Sequence, residues 1–376
     1  MFLSSATMFY NPSAASWEYP GPSANPAVEP FHRTLPDYSV TPLIPLPDLA
    51  KQLGLRHVLV KDESNRLGLP AFKILGASWA IHKAIASKCH LPLSATLDEL
   101  GTAAREAGIE LVACTEGNWG RAVSRMAKYL EIKAVVFVPG FMDEATQEKI
   151  RSEGAEVRVV DGDYDDSIAE AREEAEGKGA MLVMDVSWEG YEEIPQWVVE
   201  GYTTMLTETD DQLKAIHIPP VTHAIAACGV GSWAQAVTMH YKAPSNSPLA
   251  SVITVEPSTA ASLLASLSAG KITPIQTGHT ICNGMNCGTT STTAWEVLRK
   301  GVDLSVMVED IHVHNDLLEL HESGVRNGPC GAATLTALKK VCGDGETKRV
   351  LGLGEESVVV LFSTEGEREY EVPVCA

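Results

Sequence analysis

The segment KDESNRLGLPAFKILGASWAI sets Lys73 directly after a loop containing Gly and Pro, at the start of the helical apolar pattern Ile74, Ala77, Ala80, Ile81 and Ile85. The positive end of a helix and apolar neighbours both disfavour an ammonium, so an amine placed there sheds its proton more easily and becomes a nucleophile. Read alone, the same placement also suits a lysine that snorkels to water at a helix end.

A second segment, VTHAIAACGVGSWAQAV, runs from an apolar strand through Gly229, Val230, Gly231 and Ser232 into a helix. Backbone amides and a helix N-terminus in that arrangement grip a phosphate. The same letters satisfy G-x-G-x-x-A at Gly229, Gly231 and Ala234, and SVITVEP then offers Glu256 where a dinucleotide enzyme has its ribose-binding acid. An NAD(P)-dependent oxidoreductase is therefore the rival reading of this segment.

Three more segments bring polar residues to the ends of apolar runs. ACTEGNWGRAVSRMA reads as strand, turn and helix, with Asn118 and Gly120 at the turn. MLVMDVSWEGYEEIPQW carries Asp185 at the C-terminal end of an apolar strand, where open α/β sheets place their sites, although an aspartate there also suits a helix cap. SVVVLFSTEGERE delivers Ser363 and Thr364 into a glycine turn. Cys282 and Cys287 have no His or acid at ligand spacing, so no metal is expected.

The elements that must position these residues alternate along the chain. From about Glu110, ELVACT, NWGRAVSRMAKYLE, KAVVFVP, MDEATQEKIRSEG, AEVRVVD, DYDDSIAEAREEAEGKG and AMLVMD read as β-α-β-α units of a parallel sheet. After a helical linker around 194–214 the rhythm returns in VTHAIAAC, WAQAVTMHY, SVITVEP, LSVMVED and VVVLFST. A length of 376 residues is more than one core usually fills, so two α/β domains are expected. Residues 11–47, rich in proline, read as an extended arm.

With 29 basic against 49 acidic residues the net charge is -20, which excludes a polyanion held by general electrostatics, nucleic acid included. An anionic cofactor must then be held by local amides. Eight cysteines without a C-x-x-C pair fit a reducing compartment, and the absence of a signal-like leader or a long apolar run points to a cytoplasmic protein with no membrane span.

The pattern KDES-N-R-x-G-L-x-A-FK-x-x-GA resembles the Schiff-base segment of tryptophan-synthase-like, fold type II pyridoxal-phosphate enzymes, and among them it is most similar to the diaminopropionate ammonia-lyases. The glycine turn, E-G-N-W-G, D-x-x-W-x-G-Y-x-x-I-P and S-T-E-G follow in the same family's order, and the likeness runs from about residue 32 to residue 368. The resemblance implies a fold type II α/β architecture with two domains of three-layer type: 1–75 plus 191–376 as a large cofactor-binding domain with the N-terminal arm, and 76–190 as a smaller inserted domain.

It further implies pyridoxal 5'-phosphate bound to Lys73, with Gly229, Val230, Gly231 and Ser232 on its phosphate, Asn118 on its phenolic oxygen and Ser363 on its pyridine nitrogen. Glu116 and Asp185 are implied as catalytic bases. The family's motif is D-G-N-H-G where this chain reads Glu116-Gly117-Asn118-Trp119-Gly120, so the carboxylate sits one methylene further out and a tryptophan replaces the histidine. The implied activity is removal of ammonia from 2,3-diaminopropionate or a related small β-substituted amino acid, usually in a homodimer. Serine or threonine dehydration, β-replacement and a cofactor-binding protein without turnover are the alternatives within the resemblance.

Overall fold

The computed structural model describes residues 4–5, 7–115, 117–140, 142–162 and 164–374. Among them lie twelve strands: β1 (Ser4–Ser5), β2 (Met8–Tyr10), β3 (Leu43–Pro45), β4 (His57–Asp62), β5 (Leu111–Cys114), β6 (Ala134–Pro139), β7 (Glu156–Val160), β8 (Met181–Leu182), β9 (His223–Ala227), β10 (Ser251–Pro257), β11 (Leu304–Val308) and β12 (Val358–Ser363). Every apolar run expected to be a strand is one. The chain divides into two compact units, Met1–Asn25 with Val40–Asn65 and Thr203–Ala376, and Pro26–Ser39 with Arg66–Tyr202.

The unit built on Arg66–Tyr202 holds a parallel sheet in the order β7-β6-β5-β8. Its inner strands LVAC and AVVFVP are buried at every position, as a parallel strand covered on both faces requires, whereas the edge strand β7 is partly exposed. The helix Lys73–Lys88 is buried over most of its circumference, which marks it as a core helix. It crosses the helix Glu193–Gly201 with no room to spare: a Cβ on Gly76 would lie 2.6 Å from the Tyr202 ring, and one on Gly201 would lie 2.4 Å from the carbonyl oxygen of Leu75. The glycine of FK-x-x-G thus lets two helix backbones touch.

This packing explains where the unit begins and ends. The helix that starts at Lys73 cannot be parted from Glu193–Gly201, so the unit extends beyond the expected 76–190 on both sides. It also takes in Pro26–Ser39, part of the expected arm. Residues Val28–His32 form a short helix rather than extended chain, with Pro30 in its first turn, where a missing N–H is harmless. His32 Nε2 lies 3.0 Å from the Leu75 carbonyl oxygen, and the Phe31 and Trp79 rings are 5.6 Å apart. Those contacts fasten this stretch to the Lys73 helix.

The other unit holds an eight-stranded mixed sheet in the order β1-β2-β11-β10-β9-β12-β4-β3. The run from β11 to β4 is parallel, while β2 on β11 and β3 on β4 close the edges antiparallel. Lys61, from the KDES motif, ends in a fully buried ion pair with Glu208 at 2.9 Å and also donates to the Thr41 carbonyl and Gln212. That lysine is structural. Glu63 N–H donates to the Ser363 carbonyl at 2.9 Å, so the exits of β4 and β12 are tied together.

The crossing glycines give a direct test. Gly201→Ala meets backbone atoms that cannot swing away, and it should destabilise the protein by about 1–3 kcal/mol in urea unfolding. Gly177→Ala, also helical but with open space around its Cβ, should be neutral or stabilise by about 0.5–1 kcal/mol.

Candidate active site

Lys73 is the first residue of its helix, preceded by Phe72, whose side chain provides no cap. Its Nζ donates to Asp185 Oδ2 and lies 5.9 Å from the centre of the Trp119 ring. Asp185 is 3% exposed, so this pair is shielded on the acid's side, while the lysine side chain keeps 21% of its surface open. The helix end and the carboxylate act in opposite senses. The first disfavours the ammonium, and the second stabilises it and provides a place for its proton. Sequence reasoning about Lys73 foresaw only the first.

Asp185 is aimed by the strand exit. Tyr191 Oη donates to the Leu182 carbonyl at 2.8 Å and accepts from Met184 N–H at 3.0 Å, so one phenol clamps both sides of the turn that presents Asp185. Trp188 stacks on Tyr191 at 4.5 Å. Burial first, and the Asp185 charge after it, raise the Tyr191 hydroxyl above its ordinary value against the opposing Met184 bond, so it remains a donor. Tyr191 thus packs against Trp188 and also aims the acid.

Asn118 is the first residue of the helix Asn118–Leu130, and the cap position belongs to Gly117 at φ +147°, a conformation that suits glycine alone. Thr115 Oγ1 accepts from Gly117 N–H at 2.9 Å and Gly120 N–H at 3.0 Å, a capping role the sequence reading missed. A Cβ on Gly120 would strike the Thr115 methyl at 2.5 Å. Trp119 is buried and donates its indole N–H to the Val183 carbonyl at 3.0 Å, which ties this turn to the one carrying Asp185. Glu116 lies outside the described residues.

In the unit of the larger sheet, Gly229, Val230, Gly231 and Ser232 form the turn between β9 and the helix Ser232–Tyr241, as expected. Gly231 takes φ +100°, and a Cβ on Gly229 would lie 2.9 Å from the Gly284 carbonyl oxygen and 3.1 Å from Cys287 Sγ. Both glycines are thus required, one by conformation and one by close approach. Ser291 N–H donates to the Val230 carbonyl at 2.8 Å and so fixes the turn from outside.

Ser363 ends β12 and is 1% exposed, yet its hydroxyl has no hydrogen-bond partner among the described residues. The same is true of both side-chain atoms of Asn327, of Asn286 Oδ1 and of Thr290 Oγ1. Buried polar groups are nearly always paired, so these atoms together fit a ligand with polar atoms at more than one end. Pyridoxal phosphate, with a phosphate and a ring nitrogen, has that form. Asn327 was not foreseen; nothing in its neighbours' periodicity distinguishes it. Among the described residues no group of three or more His, Cys, Asp or Glu could hold a metal, and no helix is long and apolar enough to cross a membrane.

The dinucleotide reading of this segment fails at Glu256. Its carboxylate is fully buried and accepts from Leu263 N–H at 2.7 Å and Leu264 N–H at 2.9 Å, so it caps the helix Ser262–Ala269 instead of meeting a ribose. Burial pushes its carboxyl up to about 8, against the lowering effect of those two amides.

An amine supplied with its own proton acceptor serves carbonyl condensation rather than hydride transfer, and the architecture carrying it is that of a fold type II pyridoxal-phosphate enzyme. Residues 34–364 match the family described as pyridoxal-phosphate dependent enzyme, and the chain belongs to that family, among its diaminopropionate ammonia-lyase-like members. It is 37% identical to diaminopropionate ammonia-lyase of Salmonella typhimurium over 74% of this chain and 71% of that protein. Against the enzyme of the same name from Escherichia coli the identity is 33% over 90% and 87%. The crystal structure of the Escherichia coli enzyme in complex with an aminoacrylate-PLP azomethine reaction intermediate superposes with a TM-score of 0.84 at 29% identity, covering 96% of this chain and 93% of that one.

Glu256 yields a pH prediction. In the folded protein it keeps its proton up to about 8, whereas in the unfolded chain it loses it near 4.5. Its contribution to stability is therefore complete below about 4.5 and is lost as the pH rises through about 8. Glu256→Gln should remove this component: the stability of the native protein relative to the variant should fall between pH 5 and 8 by up to about 1.4 kcal/mol per pH unit. Parallel stability curves for the two proteins would show that Glu256 is ionised in the fold.

Proposed function

We propose that this enzyme is an ammonia-lyase that eliminates ammonia across the α and β carbons of 2,3-diaminopropionate, or of a closely related small amino acid with a leaving group on its β-carbon. With diaminopropionate and one water the products are pyruvate and two ammonia. The observation that carries the reading is the Lys73 amine seated on the Asp185 carboxylate at a helix start. The names of the relatives, and the aminoacrylate adduct in the Escherichia coli structure, support elimination as the reaction type.

Pyridoxal phosphate, when bound, supplies a carbonyl that condenses with amines and a conjugated ring that withdraws electrons from the substrate's α-carbon. Lys73 is the residue that holds it covalently. Asp185 can take the proton Lys73 must lose before its amine attacks; after passing that proton to solvent, the carboxylate is again available as a base for the substrate's α-proton. Glu116 serves as the base on the other face of the substrate. Asn118 is the residue that would take the phenolic oxygen, and the amides from Gly229 through Val230 and Gly231 to Ser232, at the positive end of their helix, are the ones that would hold the phosphate. Ser363 offers the ring nitrogen a neutral hydroxyl, which does not enforce a protonated ring and so suits loss of a β-substituent over a long-lived carbanion.

Trp119 sets its ring on the lysine side of the site, 5.9 Å from the Lys73 amine. Its N–H is already spent on the Val183 carbonyl, so it takes no part in proton transfer, and substrate choice depends on its bulk. The protein is assigned to the cytoplasm as a homodimer, and eight cysteines without a C-x-x-C pair suit that reducing compartment.

Borohydride treatment of the purified enzyme should fix the cofactor on Lys73, and Lys73→Ala should lose visible absorbance. Asp185→Asn should keep that absorbance while turnover falls about 100-fold or more. Ammonia release should be measured with both enantiomers of diaminopropionate, serine and threonine. Release from the hydroxy amino acids alone would replace this reading with a dehydratase, and release from none would end it.

A further inference from the structure

Asn327 is fully buried, and neither its Nδ2 nor its Oδ1 has a hydrogen-bond partner among the described residues. An amide left with both ends unsatisfied in a core is costly, because water has been removed from each polar atom and nothing has replaced it. Its direction is not free to relax. The backbone of Asn327 is bridged antiparallel to Gly366, its carbonyl oxygen lies 2.8 Å from His321 Nε2, and the next residue, Gly328, donates its N–H to the Glu365 carbonyl at 3.0 Å. Glu365 Oε1 in turn accepts from Cys330 N–H at 3.0 Å and anchors the start of the helix Pro329–Gly343.

The clamped side chain shares a space with Ser363. A Cβ added to Gly331 would come within 2.4 Å of Ser363 Oγ and 3.0 Å of Asn327 Nδ2. Gly331 is helical backbone without a positive φ, so glycine is demanded there by close approach: the Ser363 hydroxyl and the Asn327 amide both lie against it where a side chain would stand. They do not bond to each other there. Two buried, unpaired side chains that meet at one glycine form a built polar site, and their shared position beside Gly331 makes them candidates to hold the same end of a ligand.

We propose that Asn327 is a second partner for the pyridine-nitrogen end of the cofactor, its amide N–H joining the Ser363 hydroxyl as a donor. This rests on the reading of Ser363 given under the proposed function. Two neutral donors aimed at one nitrogen stabilise it as an acceptor, so the pair selects an unprotonated ring more firmly than a hydroxyl alone, which can donate or accept. The assignment extends the site to a segment that the lysine, the glycine turn and the two acids do not include.

The test uses the full-length protein with pyridoxal phosphate itself as the probe. Asn327→Ala should weaken cofactor binding about tenfold in an equilibrium titration, the equivalent of one hydrogen bond. The melting temperature of the cofactor-free protein should stay unchanged or rise, because the amide has no partner to lose. Asn327→Asp places a carboxylate where a protonated ring is favoured, and it should displace the pH at which the visible band of the bound cofactor changes; Asn327→Ala should not.

A fall in the melting temperature of cofactor-free Asn327→Ala, with wild-type affinity and an unmoved pH profile in both variants, would make Asn327 a packing residue and overturn the proposal. If the wild-type protein itself takes up no cofactor, the proposed function fails instead, and the two failures are told apart by that control.

Discussion

A lysine and an aspartate separated by 112 residues of chain meet in one hydrogen-bonded ion pair, and the unit formed by Pro26–Ser39 and Arg66–Tyr202 is organised so that they must. The amine is held at the first turn of a helix whose position is set by backbone contact at Gly76 and Gly201. The acid is held beyond a two-residue strand whose exit is fixed by the Tyr191 hydroxyl. Trp119 then joins the Asn118 turn to that exit through the Val183 carbonyl. A long flexible amine beside a carboxylate gains little at an exposed surface, where side-chain entropy and solvent offset the attraction. Here the acid is almost fully buried, so the pair is a stronger constraint and a directed proton path.

The other unit shows the complementary principle. Most buried polar groups in it are consumed by the fold: Lys61 by Glu208, Glu256 by the amides of a helix start, Glu365 by Cys330 N–H. Against that background the unpaired atoms of Ser363, Asn327, Asn286 and Thr290 stand out. The hydroxyls of Tyr241, Thr254 and Ser262 are unpaired in this unit as well; Ser363 and Asn327 differ in meeting at one glycine, Gly331. Glycine is required in two distinct ways, by conformation at Gly231 and by close approach at Gly331.

Much of the architecture was legible beforehand because strand and helix periods are local properties. Runs such as AVVFVP and VVVLFS could only be buried strands, and each helix between them had an apolar stripe to cover a sheet. The proline-rich stretch misled, since Val28–His32 folds as a helix under contacts with the Lys73 helix that its own composition does not announce. Likewise the pattern from KDES to FK-x-x-GA looked like a single motif, yet Lys61 pairs with Glu208 in the core while Lys73 pairs with Asp185, a distinction that spacing cannot make. Glu256 had the right place for a ribose acid and was already engaged as a cap.

By itself the sequence determined the class of elements and the place of the glycine turn, and a family pattern singled out Lys73, because each depends on residues close together in the chain. Only the tertiary structure decided that Asp185 lies on the Lys73 amine, that Tyr191 aims it, and that Asn327 shares a space with Ser363. Those facts depend on which distant segments are brought into contact and on which buried donors and acceptors are already satisfied, and no local pattern encodes either.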